Sequence, residues 1–209
     1  MPKELEQRSY SFDIGADENE GHRITGRPIV YGSRTDLGWF DEIIEPGALN
    51  GADLRDVRFL VNHDTRKIPL ARSRRNNGHS TMQLSPNESG LDIDVSLDTE
   101  NNNEARALYS AVQRGDISGM SFMFSVDDEE WENLESDHPT RHIRKIGSVV
   151  EVSAVTFPAY ESTEINARSK EALDNARSAL ESARQRNASS VDTDELELLK
   201  EKLKLLGGN

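Results

Sequence analysis

The chain has 209 residues, enough for one domain with an appendage, and its lack of cysteine excludes disulfides, cysteine nucleophiles and thiolate metal sites. Its formal net charge of −13, from 38 acidic against 25 basic side chains, disfavours nonspecific binding to nucleic acid or to an anionic membrane. No apolar run approaches the roughly 18 residues needed to span a bilayer, and Met1-Pro2-Lys3-Glu4-Leu5-Glu6 has no apolar signal region, so a soluble intracellular protein is expected.

Residues 1–21 are polar, with Tyr10 and Phe12 as their aromatics, and read as a flexible arm or an edge strand. His22 to Tyr31 predicts a strand closed by Gly32-Ser33, and Trp39 to Ile44 a second one ended by the turn residues Glu45-Pro46-Gly47-Ala48. Leu54 to Val57 suggests a short turn of helix. Arg58-Phe59-Leu60-Val61-Asn62 is a short apolar strand leading into His63-Asp64. The basic cluster Arg66, Lys67, Arg72, Arg74 and Arg75 flanks that histidine; it is either a solvated loop or a surface that recognises an acidic partner or a segment of the chain itself. Met82 to Leu84 and Leu91 to Leu97 predict strands on either side of the turn-rich Ser85-Pro86-Asn87-Glu88-Ser89-Gly90. In the second of these, Leu91, Ile93, Val95 and Leu97 share one face.

Glu104 to Arg114 breaks the two-residue period. Ala105, Leu108, Tyr109 and Val112 fall at helical spacing, with Asn103 available as a cap and Gly115 to close the end. After Gly115-Asp116-Ile117-Ser118-Gly119, alternation returns: Phe122, Phe124 and Val126 lie opposite Ser121, Met123 and Ser125, which puts Ser121 at the mouth of a half-buried strand. The run from Asp127 to Asp137 is rich in acids and holds no base; it reads as a mobile, solvated loop, and its spacing is not that of a calcium loop. Arg141 to Ile146 and Val149 to Phe157 are the last two strands, ended by Pro158. Many short strands with one internal helix predict a mainly β fold with helices (α+β), closed or nearly closed into a mostly antiparallel barrel.

From Arg168 onward acids and bases balance, so the negative excess lies before it. Ser169 to Arg186 and Asp194 to Leu206 both show helical spacing, the second with Leu196, Leu199, Leu203 and Leu206 along one stripe. The expected organisation is an arm over residues 1–21, a β domain over 22–167 and a helical tail over 168–209. That tail either packs on the domain or binds a partner and detaches.

The sequence lacks a phosphate-binding loop, and Pro139 between His138 and His142 argues against a zinc-type pair on one helix face; His22 and His79 are isolated. What remains is Ser121, His63 and one acid. A serine hydroxyl is a weak nucleophile near neutral pH unless a base such as imidazole stands within hydrogen-bonding reach, itself oriented by a third group. Glu151 lies inside the apolar Val149-Val150-Glu151-Val152-Ser153-Ala154-Val155, where a carboxylate is costly unless paired; an outward-facing glutamate is the other reading.

Asn62-His63-Asp64, Gly119-Met120-Ser121-Phe122-Met123-Phe124 and Glu151-Val152-Ser153-Ala154-Val155-Thr156-Phe157-Pro158-Ala159-Tyr160 resemble, in order, three blocks of the HK97-type phage prohead serine proteases. Glu42-Ile43-Ile44-Glu45-Pro46-Gly47-Ala48 resembles a fourth. The likeness covers about residues 22–167. It implies a β-barrel like that of herpesvirus assemblin, and a capsid-maturation endopeptidase without a cofactor. Such an enzyme cuts phage major capsid protein and scaffold segments, and itself, inside the assembling shell in the host cytoplasm, and a homodimer or higher homo-oligomer is expected; the negative charge argues separately against nucleic-acid and membrane partners. Carried over, Ser121 is the nucleophile, His63 the general base and Glu151 the orienting acid, with His142 the alternative third member. Met123 departs from the glycine common after the Ser-Phe pair. Candidate oxyanion donors are backbone N–H groups near Ser121 or an arginine, Arg141 or Arg144, though each arginine reads equally as a surface charge. The rival reading is a noncatalytic assembly or scaffolding module.

Overall fold

The computed structural model describes residues 5–10, 14–17, 21–74, 79–156 and 174–188. In chain order these form strands β1 (Glu6–Tyr10), β2 (Gly15–Asp17), β3 (Arg23–Val30), β4 (Arg34–Asp36), β5 (Asp41–Ile44), β6 (Asp56–Val61), β7 (Ala71–Arg74), β8 (Met82–Asn87) and β9 (Gly90–Ser96). Helix α1 (Asn103–Gln113) follows, then β10 (Gly119–Glu132), β11 (Thr140–Val155) and a second helix, α2, over 174–188.

Two long strands organise the molecule. β10 and β11 pair antiparallel from Gly119↔Val155 to Glu132↔Thr140, with bulges near Phe124 and Val126 that bend the ribbon. β1 pairs with the free side of β10. The other side of β11 is shared: β5 runs parallel to its first residues (Thr140↔Asp41 to Ile143↔Ile44), and β6 runs parallel to its last (Glu151↔Arg58 to Ala154↔Val61). β4 extends β5 and β7 extends β6, giving a seven-stranded sheet. A second sheet has the order β2-β3-β9-β8.

The fold is therefore mainly β with two helices, as expected, but the strands do not close into a barrel. Among the described residues the pairing stays divided into two sheets. Alternation along a chain tells which face of a strand is buried, not which strand lies beside it, and here one strand carries two short partners on the same edge. The two strands predicted over Arg141 to Ile146 and Val149 to Phe157 are the single β11, which runs through Gly147 without stopping.

The core joins the two sheets and α1. Phe122, Phe124 and Met120 of β10, Val152, Ala154 and Ile146 of β11, Ile24 and Ile29 of β3, Leu91, Ile93 and Val95 of β9, and Leu108 and Val112 of α1 are all buried in one cluster. The α1 cap is Asn102, one residue before the expected Asn103: its side chain accepts from the backbone N–H of Glu104 and Ala105. Gly115 ends the helix in the left-handed region (φ 77°), with its N–H donating to Val112 O.

The acidic run is not a mobile loop up to Glu132. It continues β10, because Arg141, Arg144, His142 and Arg186 lie within ion-pair reach of Glu129, Glu130 and Glu132. Trp131 also packs on Phe40, ring centroids 4.9 Å apart. α2 lies on this hairpin: Ala176 and Leu180 join Phe40 in a second buried cluster against Leu37, Trp131 and Leu134. Arg184 donates to the Leu134 and Ser136 carbonyls. The helix expected over Asp194 to Leu206 falls outside the described residues.

Candidate active site

Ser121 enters the site from β10, where it pairs with Ser153 of β11. Opposed residues of neighbouring strands share a face, and residues two apart on one strand do too. Ser121, Ser153 and Glu151 therefore stand together on one side of the sheet, while Phe122 and Val152 point to the core.

His63 arrives from the turn after β6. Asn62 and His63 both take positive φ (50° and 56°), a conformation that is uncommon outside glycine and swings the chain sharply. The turn is pinned to the end of β11. Asn62 Nδ2 donates to Thr156 Oγ1 at 3.0 Å, the Thr156 N–H donates to Asn62 Oδ1 at 3.0 Å, and the Asn62 N–H donates to Ala154 O at 3.0 Å. The imidazole then lies over the sheet, with its side chain 12% exposed.

The three candidates meet. His63 Nε2 is 2.6 Å from Ser121 Oγ, and His63 Nδ1 is 2.6 Å from Glu151 Oε2. Ser153, which sequence reasoning passed over, completes the support: the His63 N–H donates to its Oγ at 3.0 Å, and that hydroxyl donates to Glu151 Oε1. Its position two residues past the acid, on the same face, was the signal available. With Nδ1–H given to the carboxylate, a neutral His63 presents Nε2 as an acceptor toward the hydroxyl.

Ser121 Oγ has a second acceptor, the Arg8 carbonyl of β1 at 2.7 Å, and the residue is fully buried. One hydroxyl proton serves two acceptors. Transfer toward His63 Nε2 leaves Arg8 O without it, whereas a doubly protonated imidazole leaves the proton free for Arg8 O.

The alternative third member, His142, stands elsewhere. It lies nine residues before Glu151 on β11, roughly 30 Å at 3.3 Å per residue, and its Nδ1 is 2.6 Å from Glu45 Oε1. The arginines considered as oxyanion donors are committed to carboxylates. Arg144 pairs with Glu130, and Arg141 is buried against Glu6 (2.6 Å), Glu42 (3.0 Å) and Glu129.

Arg8 shares that buried network, donating to Glu42 at 2.5 and 2.7 Å and to Glu6 at 2.7 Å, so β1 is tied down by charge next to Ser121. Burial opposes ionisation of Glu6, but the Arg141 hydrogen bond and the charges of Arg8 and Arg141 outweigh it and hold the carboxyl near a pKa of about 2. Burial likewise disfavours the charged forms of Arg8 and Arg141, yet the surrounding glutamates raise both above the usual arginine value.

Among the described residues, Asp36, Asp41 and His138 come close enough together to ligate a cation, but Asp36 and His138 are exposed, and Arg34 already pairs with Asp41 at 2.7 Å.

A β-rich scaffold that aligns hydroxyl, imidazole and carboxylate in series has the arrangement found in serine hydrolases. The chain belongs to the caudovirus prohead serine protease family, whose model matches residues 10–177. It is similar to the prohead protease of Enterobacteria phage HK97, 33% identical over 130 residues, which cover 60% of this chain and 52% of that protein. The chain thus spans about half the length of the curated relative it matches. No solved structure gives a significant match.

Proposed function

We propose that this chain is a serine endopeptidase of prohead maturation, with Ser121 as nucleophile, His63 as general base and Glu151 as the acid that orients it. The observation that carries the reading is the unbroken series from Ser121 Oγ through His63 to Glu151, with both contacts at 2.6 Å. Ser121 attacks the scissile carbonyl while its proton passes to His63 Nε2. Glu151 holds the Nδ1–H and stabilises the imidazolium. His63 then protonates the leaving amine, and water, deprotonated by the same imidazole, hydrolyses the acyl-enzyme. The chemistry needs no cofactor.

On this reading the substrates are major capsid protein and scaffold segments in the assembling procapsid of a phage, in the host cytoplasm, and the chain itself. Family membership and the HK97 relative support this. Residues 22–167 then form the body of the protease unit, completed by β1 beside Ser121, with 168–209 a helical tail that is scaffold-like or self-cleaved, and a homodimer or higher homo-oligomer is the expected working form. The test is a fluorophosphonate adduct mapped by mass spectrometry to Ser121, together with self-truncation between about residues 160 and 195 that disappears in Ser121→Ala.

A noncatalytic assembly module is the second reading, favoured by the burial of Ser121 under its contact with Arg8 O. It predicts no adduct, and processing that is unchanged in Ser121→Ala and His63→Ala.

A further inference from the structure

The face of the sheet that carries the triad does not end at Glu151. Glu151 is in register with Arg58 of β6, and Arg58 with Arg72 of β7. In-register neighbours point to the same side, so acid and arginines form one row across three strands, about 10 Å wide at 4.8 Å per strand. Arg74 follows two residues after Arg72 on the same face, opposite Asp56. At the arginine end of this row lies an open groove of about 710 Å³, lined by Arg55, Arg58, Arg72 and Arg74 with Asp53 and Asp56, and by Ser148, Val149 and Val150 of β11 just before Glu151.

The charge of this groove runs against that of the molecule. Four guanidinium groups face two carboxylates in a chain of net charge −13. Both carboxylates are taken: Arg55 grips Asp53 at 2.8 and 2.6 Å, and Arg72 grips Asp56 at 2.6 and 2.7 Å. Arg58 stands 3.6 Å from the already paired Asp56, and among the described residues Arg74 has no carboxylate within ion-pair distance. Asp56 thus serves three guanidinium groups, Arg72 at close range and Arg58 and Arg74 at longer range, which leaves positive charge in excess around a concave, partly shielded space. That is the chemistry which binds carboxylates in bidentate fashion and draws them in from solution.

We propose that this groove is a substrate subsite for acidic side chains, with Arg58 and Arg74 as its specificity-determining residues; the proposal rests on the protease reading above. An extended peptide advances about 3.3 Å per residue. A chain with its scissile bond at Ser121 therefore places a side chain over Arg58 some three to four residues away and over Arg74 about six residues away. The groove selects segments with glutamate or aspartate at those distances and adds affinity without touching the reacting atoms.

The experiment uses the full chain carrying Ser121→Ala, which binds without cutting. Its probes are a fluorescein-labelled decapeptide of alternating Glu and Ala and the same peptide with Gln for Glu, read by fluorescence anisotropy. The Glu peptide is expected to bind at least tenfold tighter than the Gln peptide, and the preference to fall as salt rises from about 50 to about 300 mM. Adding Arg58→Gln and Arg74→Gln should erase the preference, and Arg58→Lys with Arg74→Lys should restore part of it; circular dichroism and thermal melting check that each variant is folded. In the cutting enzyme, the same Gln pair should bring the KM values of acidic and neutral substrates together. Equal binding of the two peptides, or a preference that survives the Gln pair, overturns the proposal. Concentration-dependent self-association that the Gln pair abolishes, without peptide binding, also overturns it and assigns the groove to a second copy of the chain. Tight, salt-sensitive peptide binding by a wild-type chain that cleaves nothing supports the groove and counts against the protease reading instead.

Discussion

Ser153 holds Glu151 by the oxygen that His63 leaves free. The hydroxyl donates to Oε1 while the imidazole takes Oε2, and the same hydroxyl accepts the His63 N–H at 3.0 Å, so one side chain fixes both the acid and the backbone of the base. Ser153→Ala removes a buried hydroxyl from between two polar groups. The expected result is a fall in kcat of about tenfold or more with KM little changed, since the loss acts on orientation rather than substrate contact. A positioning role also predicts that Ser153→Thr, which keeps the hydroxyl, recovers part of the rate, and that the pH–rate profile of Ser153→Ala is displaced. Steady-state kinetics on a peptide substrate across pH check all three.

Glu151→Gln keeps the volume of the acid and removes its charge. The imidazolium formed during attack then loses its counter-charge, and the amide can present N–H to Nδ1 and favour the wrong tautomer. A drop in kcat on the order of 10³–10⁴ is expected, with the far-ultraviolet circular dichroism unchanged.

The network that seats β1 gives a stability test. Glu42 is 1% exposed and lies between Arg8 and Arg141. Glu42→Gln leaves two buried guanidinium groups short of a carboxylate, which costs about 3–5 kcal/mol and lowers the denaturant midpoint without changing the slope.

Acid should undo the same seat in a predictable window. The Glu6 carboxyl is held near a pKa of about 2 against an ordinary value of 4.5. The seated strand therefore binds fewer protons than the released one. The stabilisation is fully present above about pH 4.5 and is lost as pH falls toward 2. The Trp131 ring lies 5.8 Å from the Arg141 guanidinium carbon and reports the change. In a Trp39→Phe background its emission should shift through that window, and Glu6→Gln should flatten the response.

Gly90 opens β9 at φ 144°, and a Cβ there would stand 1.9 Å from the Ile29 carbonyl oxygen of the neighbouring β3. Because that obstacle is backbone, Gly90→Ala should destabilise the protein by roughly 3 kcal/mol, read from chemical denaturation.

The sequence made the triad legible because each member has a local reason to be noticed. Ser121 interrupts a phenylalanine alternation, His63 ends an apolar strand, and Glu151 is a charge in a run of valines. α1 was legible for the same kind of reason, since four apolar residues and a cap lie within one short window. What stayed hidden depends on distance along the chain. Arg8 meets Glu42 across 34 residues and Arg141 meets Glu6 across 135, and no spacing rule connects them. β4 and β7 are three and four residues long and show too little periodicity to read. The acidic run looked solvated because its partners, Arg141, Arg144 and Arg186, lie on β11 and α2. Closure into a barrel failed as an expectation because, among the described residues, no ladder joins the seven-stranded sheet to the β2-β3-β9-β8 sheet, and pairing partners cannot be read from alternation.

The paired left-handed residues Asn62 and His63 have a consequence for how this corner can change. Each departs from the backbone preference of an ordinary residue, at a cost on the order of 1 kcal/mol or more, and the corner is held by side-chain clasps to Thr156 and Ser153. Substituting glycine at 62 would relax the bend while releasing the clasp, so the imidazole would wander from the serine even as the turn itself grew more comfortable. The strain at this bend is thus tied to the clasps that aim the imidazole, and relaxing the one loosens the other.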